Sequence, residues 1–246
     1  MELEIYQLIL IACTTLGASY IQSVTGFGFG IFSMMFLPHL LLYTEANILS
    51  SILSAFTSVT VAALLFRRIN WKNTVFPLIG CLFATYAAVA FIKAQENRVL
   101  TLILGIALLV LSVYFFFFSN KIRIKPTWYA GLIAGVISGI MGGMFAIGGP
   151  PVVIYFMQSE ESSERYLATI SAYFVLSNVI SITIKSASGF VTLNVWAGLA
   201  VGAVGMILGS LMGKLTREKM NSATLKKAVY GFMAASGAIN IVTSLI

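Results

Sequence analysis

Two glycine-rich stretches interrupt long apolar segments of the chain and are its first candidates for chemistry. One has the sequence Gly26-Phe27-Gly28-Phe29-Gly30, and the other contains Gly148-Gly149-Pro150-Pro151. Glycines two positions apart scatter around a helix axis instead of forming the one-sided seam of a Gly-x-x-x-Gly contact, so the first stretch favours a helix break. Pro150 and Pro151 cannot donate backbone hydrogen bonds and restrict the residue before them, which predicts an interruption near Gly148.

A helix break inside an apolar segment creates groups that can bind an anion. Backbone polar groups freed within a membrane must be satisfied by protein or must line a water-filled cavity. A helix that restarts there presents unpaired N–H groups and a partial positive charge, which suit oxyanions such as sulfonate, sulfite or carboxylate groups. We therefore predict an anion site walled by both breaks; its candidate residues are Gly26, Phe27, Gly28, Gly30, Ile147, Gly148, Gly149 and Pro150. The alternative, that the glycines only permit close helix packing, stays open.

Polar side chains in the following apolar segments extend this candidate site. Ser58 and Asn178 lie at equivalent places in segments 46–66 and 166–184, and Gln22 precedes the first break. Their hydroxyl and amide donors could solvate an anion. They could equally form interhelical hydrogen bonds, which contribute about 0.6 kcal/mol each on average in membranes. The sequence leaves both interpretations open.

The composition requires that lipid, not water, is the solvent for the elements that position these residues. Of the 246 residues, 59% are hydrophobic and 9% are charged, whereas soluble domains carry roughly 25% charged residues. Apolar stretches of about 20 residues, long enough to cross the hydrocarbon as helices, follow one another along the chain. They are continuous rather than alternating, which favours helices over barrel strands. The sequence predicts an all-α integral membrane protein.

The charged residues exclude several classes of function. The chain has no Asp and one His, and every Glu is close to a terminus or in an expected loop, so we predict no carboxylate inside the membrane, no metal site, no cofactor and no enzyme. The basic residues occur in short loops, where they act as orientation signals, so nucleic acid is not an expected partner. Lys93, Lys185 and Lys214 are expected to extend from span ends towards the interface.

The basic loops also predict a topology. Loops at 67–72, 121–125 and 214–227 are basic and should all be cytoplasmic. They share that side only if segment 127–158 enters and leaves from the cytoplasmic side as a hairpin. The same rule makes segment 5–44 a hairpin that begins and ends outside. A single kinked helix in each long segment, the alternative, would leave one basic loop outside.

Two inverted-topology repeats follow from these hairpins, each a Gly-broken hairpin plus three transmembrane helices. Such halves of opposite orientation occur in many secondary transporters. The predicted first repeat is 1–120 and the second is 121–246. Their helices are expected at 46–66, 74–92 and 99–118, and at 166–184, 191–213 and 224–246. Both chain ends are expected on the external side.

The same motifs resemble those of the TauE/SafE sulfite exporter family, also described as toluene-sulfonate uptake permeases. The resemblance rests on Gly26-Phe27-Gly28-Phe29-Gly30 with Pro38, and on Ser138-Gly139 followed by Ala146-Ile147-Gly148-Gly149-Pro150-Pro151. It covers the whole chain, and it implies transport of sulfite, sulfonates or related organosulfur anions across a prokaryotic plasma membrane. It does not imply a direction. Phe27 and Phe29 depart from the commoner run of consecutive glycines, which leaves open whether the first break binds or gates.

The leading functional hypothesis is a secondary transporter of a small sulfur-containing anion that works by alternating access. An anion channel and a non-transporting membrane assembly subunit are the alternatives. The expected partners are the small anion and the lipid bilayer. The oligomeric state is left open, with a homodimer as one option.

Overall fold

The computed structural model describes residues 3–25, 27–118, 125–216 and 222–245. Within these ranges the chain forms ten α-helices and two short 3₁₀ turns, and no strand. The helices are α1 (Ile5–Thr25), α2 (Phe29–Phe36), α3 (Tyr43–Leu64), α4 (Trp71–Lys93), α5 (Asn97–Phe118), α6 (Trp128–Phe145), α7 (Gly149–Ser159), α8 (Ser163–Ala187), α9 (Leu193–Thr216) and α10 (Ser222–Leu245).

Seven of the described helices are long and apolar enough to cross a membrane: α1, α3, α4, α5, α6, α8 and α9. Large apolar side chains such as Phe83 and Leu193 are exposed on their surfaces. Water would not tolerate so much apolar surface, whereas lipid does. The prediction of an all-helical integral membrane protein is confirmed.

Both glycine-rich stretches interrupt the helices that contain them. Gly28 has φ 110°, a left-handed conformation open to glycine at little cost, and it directly precedes α2. In the second stretch Ala146 takes the left-handed conformation at the end of α6, and α7 begins at Gly149 with a proline in its first turn. Each break joins a long helix to a short one that packs against it, α1 with α2 and α6 with α7.

The helices cluster into two compact units, and each unit combines parts of both sequence halves. Unit 1 comprises Met1–Ser50, Ala94–Ile122 and Val191–Ile246, and within it α1 packs along α9 and α5 along α10. Unit 2 comprises Ser51–Lys93 and Arg123–Phe190, and within it α4 packs along α6 and α8. Thus α1, the first long helix of the first half, packs along α9 of the second half. Likewise α6, the first long helix of the second half, packs along α4 of the first half. The opposite orientation of the halves and their bounds, 1–120 and 121–246, stay predictions.

Glycines spaced four residues apart allow the closest of these helix contacts. A Cβ on Gly209 of α9 would lie 2.1 Å from the Leu16 carbonyl oxygen of α1. A Cβ on Gly135 of α6 would likewise lie 2.0 Å from the Pro77 carbonyl oxygen of α4. These are small-residue seams of the kind that hold membrane helices together. Helical glycines of α6 and α9 thus permit close packing, and whether the glycines of the two breaks do only that stays open.

Candidate functional site

The second break, which lies in unit 2, is surrounded by buried polar groups. Ser138 of α6 donates a hydrogen bond from its Oγ to the Gly148 carbonyl. The hydroxyl of Tyr173 in α8 donates to Ser138 Oγ at 2.9 Å. Tyr173 and Ser138 are 0% and 2% exposed. The Gly148 carbonyl at the break thus accepts from Ser138, and Ser138 in turn accepts from Tyr173, so that these buried polar groups are paired as an apolar environment requires.

Lys185 brings a positive charge to the same break. Its side chain is fully buried, and its Nζ donates to Ser51 Oγ at 2.8 Å and to the Gly142 carbonyl at 3.2 Å. Gly142 lies directly beside the break, because a Cβ added there would be 3.4 Å from Gly148 Cα. The expectation that Lys185 extends from a span end towards the interface is therefore wrong. Its side chain lies within unit 2, where helix packing surrounds it and hydrogen bonds hold it.

No carboxylate neutralises this ammonium in the part of the chain that the structure describes. The ion pairs there join Arg68 to Glu164, and Arg165 to Glu160 and to Glu161. Both recorded partners of Lys185 are neutral oxygens. A buried charge without a counter-charge is unfavourable, and within membranes such charges mark ligand or ion pathways. Chemically, the arrangement is suited to an anion.

Polar groups continue from this cluster along the seam between α4 and α6. Thr85 of α4 donates to the Gly139 carbonyl at 3.3 Å, and Cys81 lies 3.6 Å from Thr85 in hydrogen-bonding contact. Cys81 and Thr85 are buried. Buried polar groups therefore extend from the break along the contact between α4 and α6.

The sequence-predicted residues of the second break lie together. Ile147 and Pro150 are buried and flank Gly148 and Gly149 at the start of α7. The other two candidates of unit 2 lie on α3 and α8 and not at the start of α7. Ser58 of α3 is buried and donates to the Ser54 carbonyl of the same helix at 3.1 Å. Asn178 of α8 is half-buried. Their part in anion binding stays a prediction.

The first break, in unit 1, is bordered by aromatic rings and by serine hydroxyls among the residues that the structure describes. Phe27 lies against Phe115 with 6.0 Å between ring centroids, and Phe115 stacks on Tyr230 at 5.1 Å. Gly30 is buried, and its carbonyl accepts from Ser33, whose Oγ also lies 2.6 Å from Ser50 Oγ. Among the other candidates here, Gln22 is half-buried on α1, Gly28 is half-buried at the break, and Gly26 lies outside the described residues.

Two carboxylate side chains are buried at helix ends in the described part of the protein, whereas the absence of a carboxylate inside the membrane stays a prediction. Glu45 is in the first turn of α3, is 2% exposed, and accepts hydrogen bonds from Thr192 Oγ1 at 2.6 Å and Asn194 Nδ2 at 3.2 Å. It lines an open cavity of about 710 Å³ that His39 also borders. The Glu160 side chain, 1% exposed, pairs with Arg165 at 3.4 Å.

Both carboxylates hold the start of a long helix. Glu45 accepts from residues at the amino end of α9, and Glu160 accepts from Asn73 Nδ2 at 2.8 Å and Asn70 Nδ2 at 3.4 Å at the amino end of α4. Negative charge is favourable at helix amino termini. The sequence did not predict that Glu45 and Glu160 accept hydrogen bonds at helix starts, because each residue lies just beyond the boundary of an expected span.

Sequence reasoning missed the burial of Lys185 and considered Tyr173 only as one of several polar side chains in segment 166–184 that could solvate an anion. A signal was present, because Ser177, Ser181 and Lys185 follow one another at four-residue spacing on α8 and so share one helical face. That face is polar inside an apolar segment. A lysine on it is better explained by burial among polar partners than by extension towards lipid headgroups.

Comparison with known proteins gives two matches. The family model described as sulfite exporter TauE/SafE matches residues 10–239. A curated relative, the probable sulfite/organosulfonate exporter TauE of Cupriavidus necator, is 23% identical over 234 residues, which cover 91% of this chain and 90% of the relative. No solved structure matches the chain. Both matches extend over nearly the whole sequence.

Proposed function

This chain belongs to the sulfite exporter TauE/SafE family, and we propose that it moves a small sulfur-containing anion, such as sulfite or a sulfonate, across the membrane by alternating access. Seven long apolar helices supply the membrane-spanning frame. The relative in Cupriavidus necator is named for sulfite and organosulfonate export. Transport by this chain therefore agrees with its family and with its architecture.

One observation supports an anion as the solute. A break inside the apolar helices of unit 2 carries a buried hydroxyl cluster and a buried ammonium without a carboxylate partner among the described residues. A cation pathway would need carboxylate or carbonyl oxygens directed at the solute. A buried ammonium instead matches the negatively charged oxygens of sulfite and sulfonate groups.

Counterflow in proteoliposomes tests this proposal. We expect saturable uptake of labelled sulfite or sulfoacetate, accelerated by the unlabelled anion inside, and no such uptake in liposomes without protein. Alternating access requires a conformational cycle on the μs to ms timescale, so a flux on the order of a million ions per second would indicate a channel instead. Absence of saturable flux for every sulfur anion, with correctly folded protein, would contradict the proposal.

The cellular placement is part of the same proposal. We propose a plasma-membrane protein whose chain ends are both external, with the basic loops on the cytoplasmic side. Two of these loops contain Lys121 and Lys219, which lie outside the described residues. Cysteines introduced at these two positions, with Cys13 and Cys81 replaced by serine, should react with an impermeant thiol reagent from the same side only. Labelling from opposite sides would exclude the inverted repeat.

A further inference from the structure

Lys185 is the one buried charge at the second break that the described residues leave without a counter-charge. We propose that its ammonium is the fixed positive charge that binds the anionic oxygens of the transported solute. This inference rests on the proposed function and names the residue that gives the site its charge preference. Neither the family match nor the relative assigns this residue a role.

The hydrogen-bond inventory of the ammonium supports this assignment. A lysine ammonium has three N–H donors, and two acceptors are recorded for Lys185, one hydroxyl and one backbone carbonyl. Both acceptors are neutral, so neither compensates the charge that burial has removed from water. An oxyanion would supply both the third acceptor and the missing negative charge.

The start of α7 cannot supply this attraction fully by itself. The first four N–H groups of a helix are the ones that bind an anion. In α7 the first helical residues are Gly149, Pro150 and Pro151, and the two prolines have no N–H. Half of the usual donor set is therefore absent at this helix terminus. An anion at the break consequently needs another source of positive charge, and Lys185 is the buried cation that contacts the neighbouring Gly142.

The competing explanation is purely structural. Gly142 lies in the last turn of α6, and a cation near the carbonyl end of a helix is favourable. In that case Lys185 would stabilise the end of α6 and would have no effect on which anion binds. The two explanations differ in selectivity, because only a solute-binding ammonium discriminates between solutes of different charge.

The test compares Lys185→Met with Lys185→Arg and with Lys93→Met, which removes an exposed lysine from the end of α4. Proteoliposome uptake is measured for sulfoacetate, a dianion, and for taurine, a zwitterion. We expect Lys185→Met to raise the KM for sulfoacetate at least tenfold and to raise that for taurine much less. We expect Lys185→Arg to retain most of the preference of the wild type for sulfoacetate. We expect Lys93→Met to have the KM values of the wild type.

Each outcome decides between the explanations. If the wild type transports and Lys185→Met retains both its KM for sulfoacetate and its ratio of the two KM values, the inference fails while the proposed function stands. If the wild type transports no sulfur anion, the proposed function fails first. If Lys185→Met does not fold, the ratio is measured on Lys185→Gln, which removes the charge but keeps N–H donors for Ser51 and for the Gly142 carbonyl. An unchanged ratio in Lys185→Gln would overturn the inference.

Discussion

Both helix breaks place a left-handed residue between a long helix and a short one, but the groups that surround the two breaks differ. In unit 1 the break at Gly28 is made by a left-handed glycine and is bordered by Phe27 and the Phe115–Tyr230 stack. In unit 2 the break at Gly148 is bordered by hydroxyl groups and a buried ammonium. Aromatic rings thus border the first break, whereas a buried cation lies beside the second. The difference agrees with our proposal that the second break holds the charge of the solute.

Away from the breaks the two units are built alike, because both have buried carboxylates at helix starts and glycine seams between helices. Each unit uses a buried carboxylate to accept hydrogen bonds from side chains at the start of a long helix, Glu45 for α9 and Glu160 for α4. Each unit also contains a glycine seam along its longest helix contact. The helix frames are therefore built alike, and the contrast between aromatic and cationic surroundings is local to the breaks.

The largest expected effect comes from filling the charged break. We predict that Gly148→Leu abolishes uptake of sulfur anions, because even a Cβ there would lie 3.1 Å from both the carbonyl oxygen and Oγ of Ser138. A leucine side chain must displace the Ser138 hydroxyl and its partners. Proteoliposome flux measures the loss, and size-exclusion chromatography in detergent checks that the protein is intact.

Gly231→Leu is the matched control for that substitution. Gly231 is an exposed helical glycine of α10, and nothing would lie within 4 Å of a Cβ there. We expect this variant to transport like the wild type. Wild-type flux in Gly148→Leu would mean that the second break does not contact the path of the solute.

A smaller effect is expected from the hydroxyl cluster. Tyr173→Phe removes the donor to Ser138 and leaves the aromatic packing in place. This bond positions Ser138 at the break, so we predict that its loss raises the KM for sulfoacetate by up to about fivefold, the equivalent of one buried hydrogen bond of about 1 kcal/mol. The measurement is the concentration dependence of uptake, with maximal rate and KM separated.

Tyr86→Phe provides the control, because Tyr86 is 67% exposed on α4. We expect it to leave both parameters unchanged. An increase of KM in Tyr86→Phe as large as that in Tyr173→Phe would show that loss of any tyrosine hydroxyl disturbs the protein, and the cluster would lose its assigned role.

The sequence predicted more of the helical frame than of the site. Continuous apolar segments indicate membrane helices because lipid imposes a simple rule on length and polarity, and paired glycines and prolines mark where a helix cannot continue. The environment of Lys185 follows no such local rule. Whether a lysine near a span end is buried or extends outward depends on Ser51 and Gly142, which are 134 and 43 positions away. Only the four-residue polar spacing on α8 hinted at it.

The smallest expected effect on the KM for sulfoacetate comes from substituting Gly28, and this variant distinguishes the two breaks most clearly. Gly28 has φ 110°, a conformation that alanine adopts at a cost of about 1–2 kcal/mol. Space is not limiting, since the nearest atom to an added Cβ is Ile21 Cγ2 at 3.4 Å. We therefore predict that Gly28→Ala lowers the unfolding temperature in detergent by a few degrees, while the KM for sulfoacetate stays within twofold of the wild type.

Gly231→Ala is the control for Gly28→Ala, because its helical backbone imposes no such strain, and its unfolding temperature should equal or exceed that of the wild type. The same substitution at Gly148 should raise the KM, since its Cβ would press on Ser138. If Gly28→Ala raised the KM as much as Gly148→Ala, the aromatic break would bind the solute as strongly as the cationic one. The charge of Lys185 would then not explain where the anion is held, because both breaks would contribute to affinity by a feature they share, the exposed backbone.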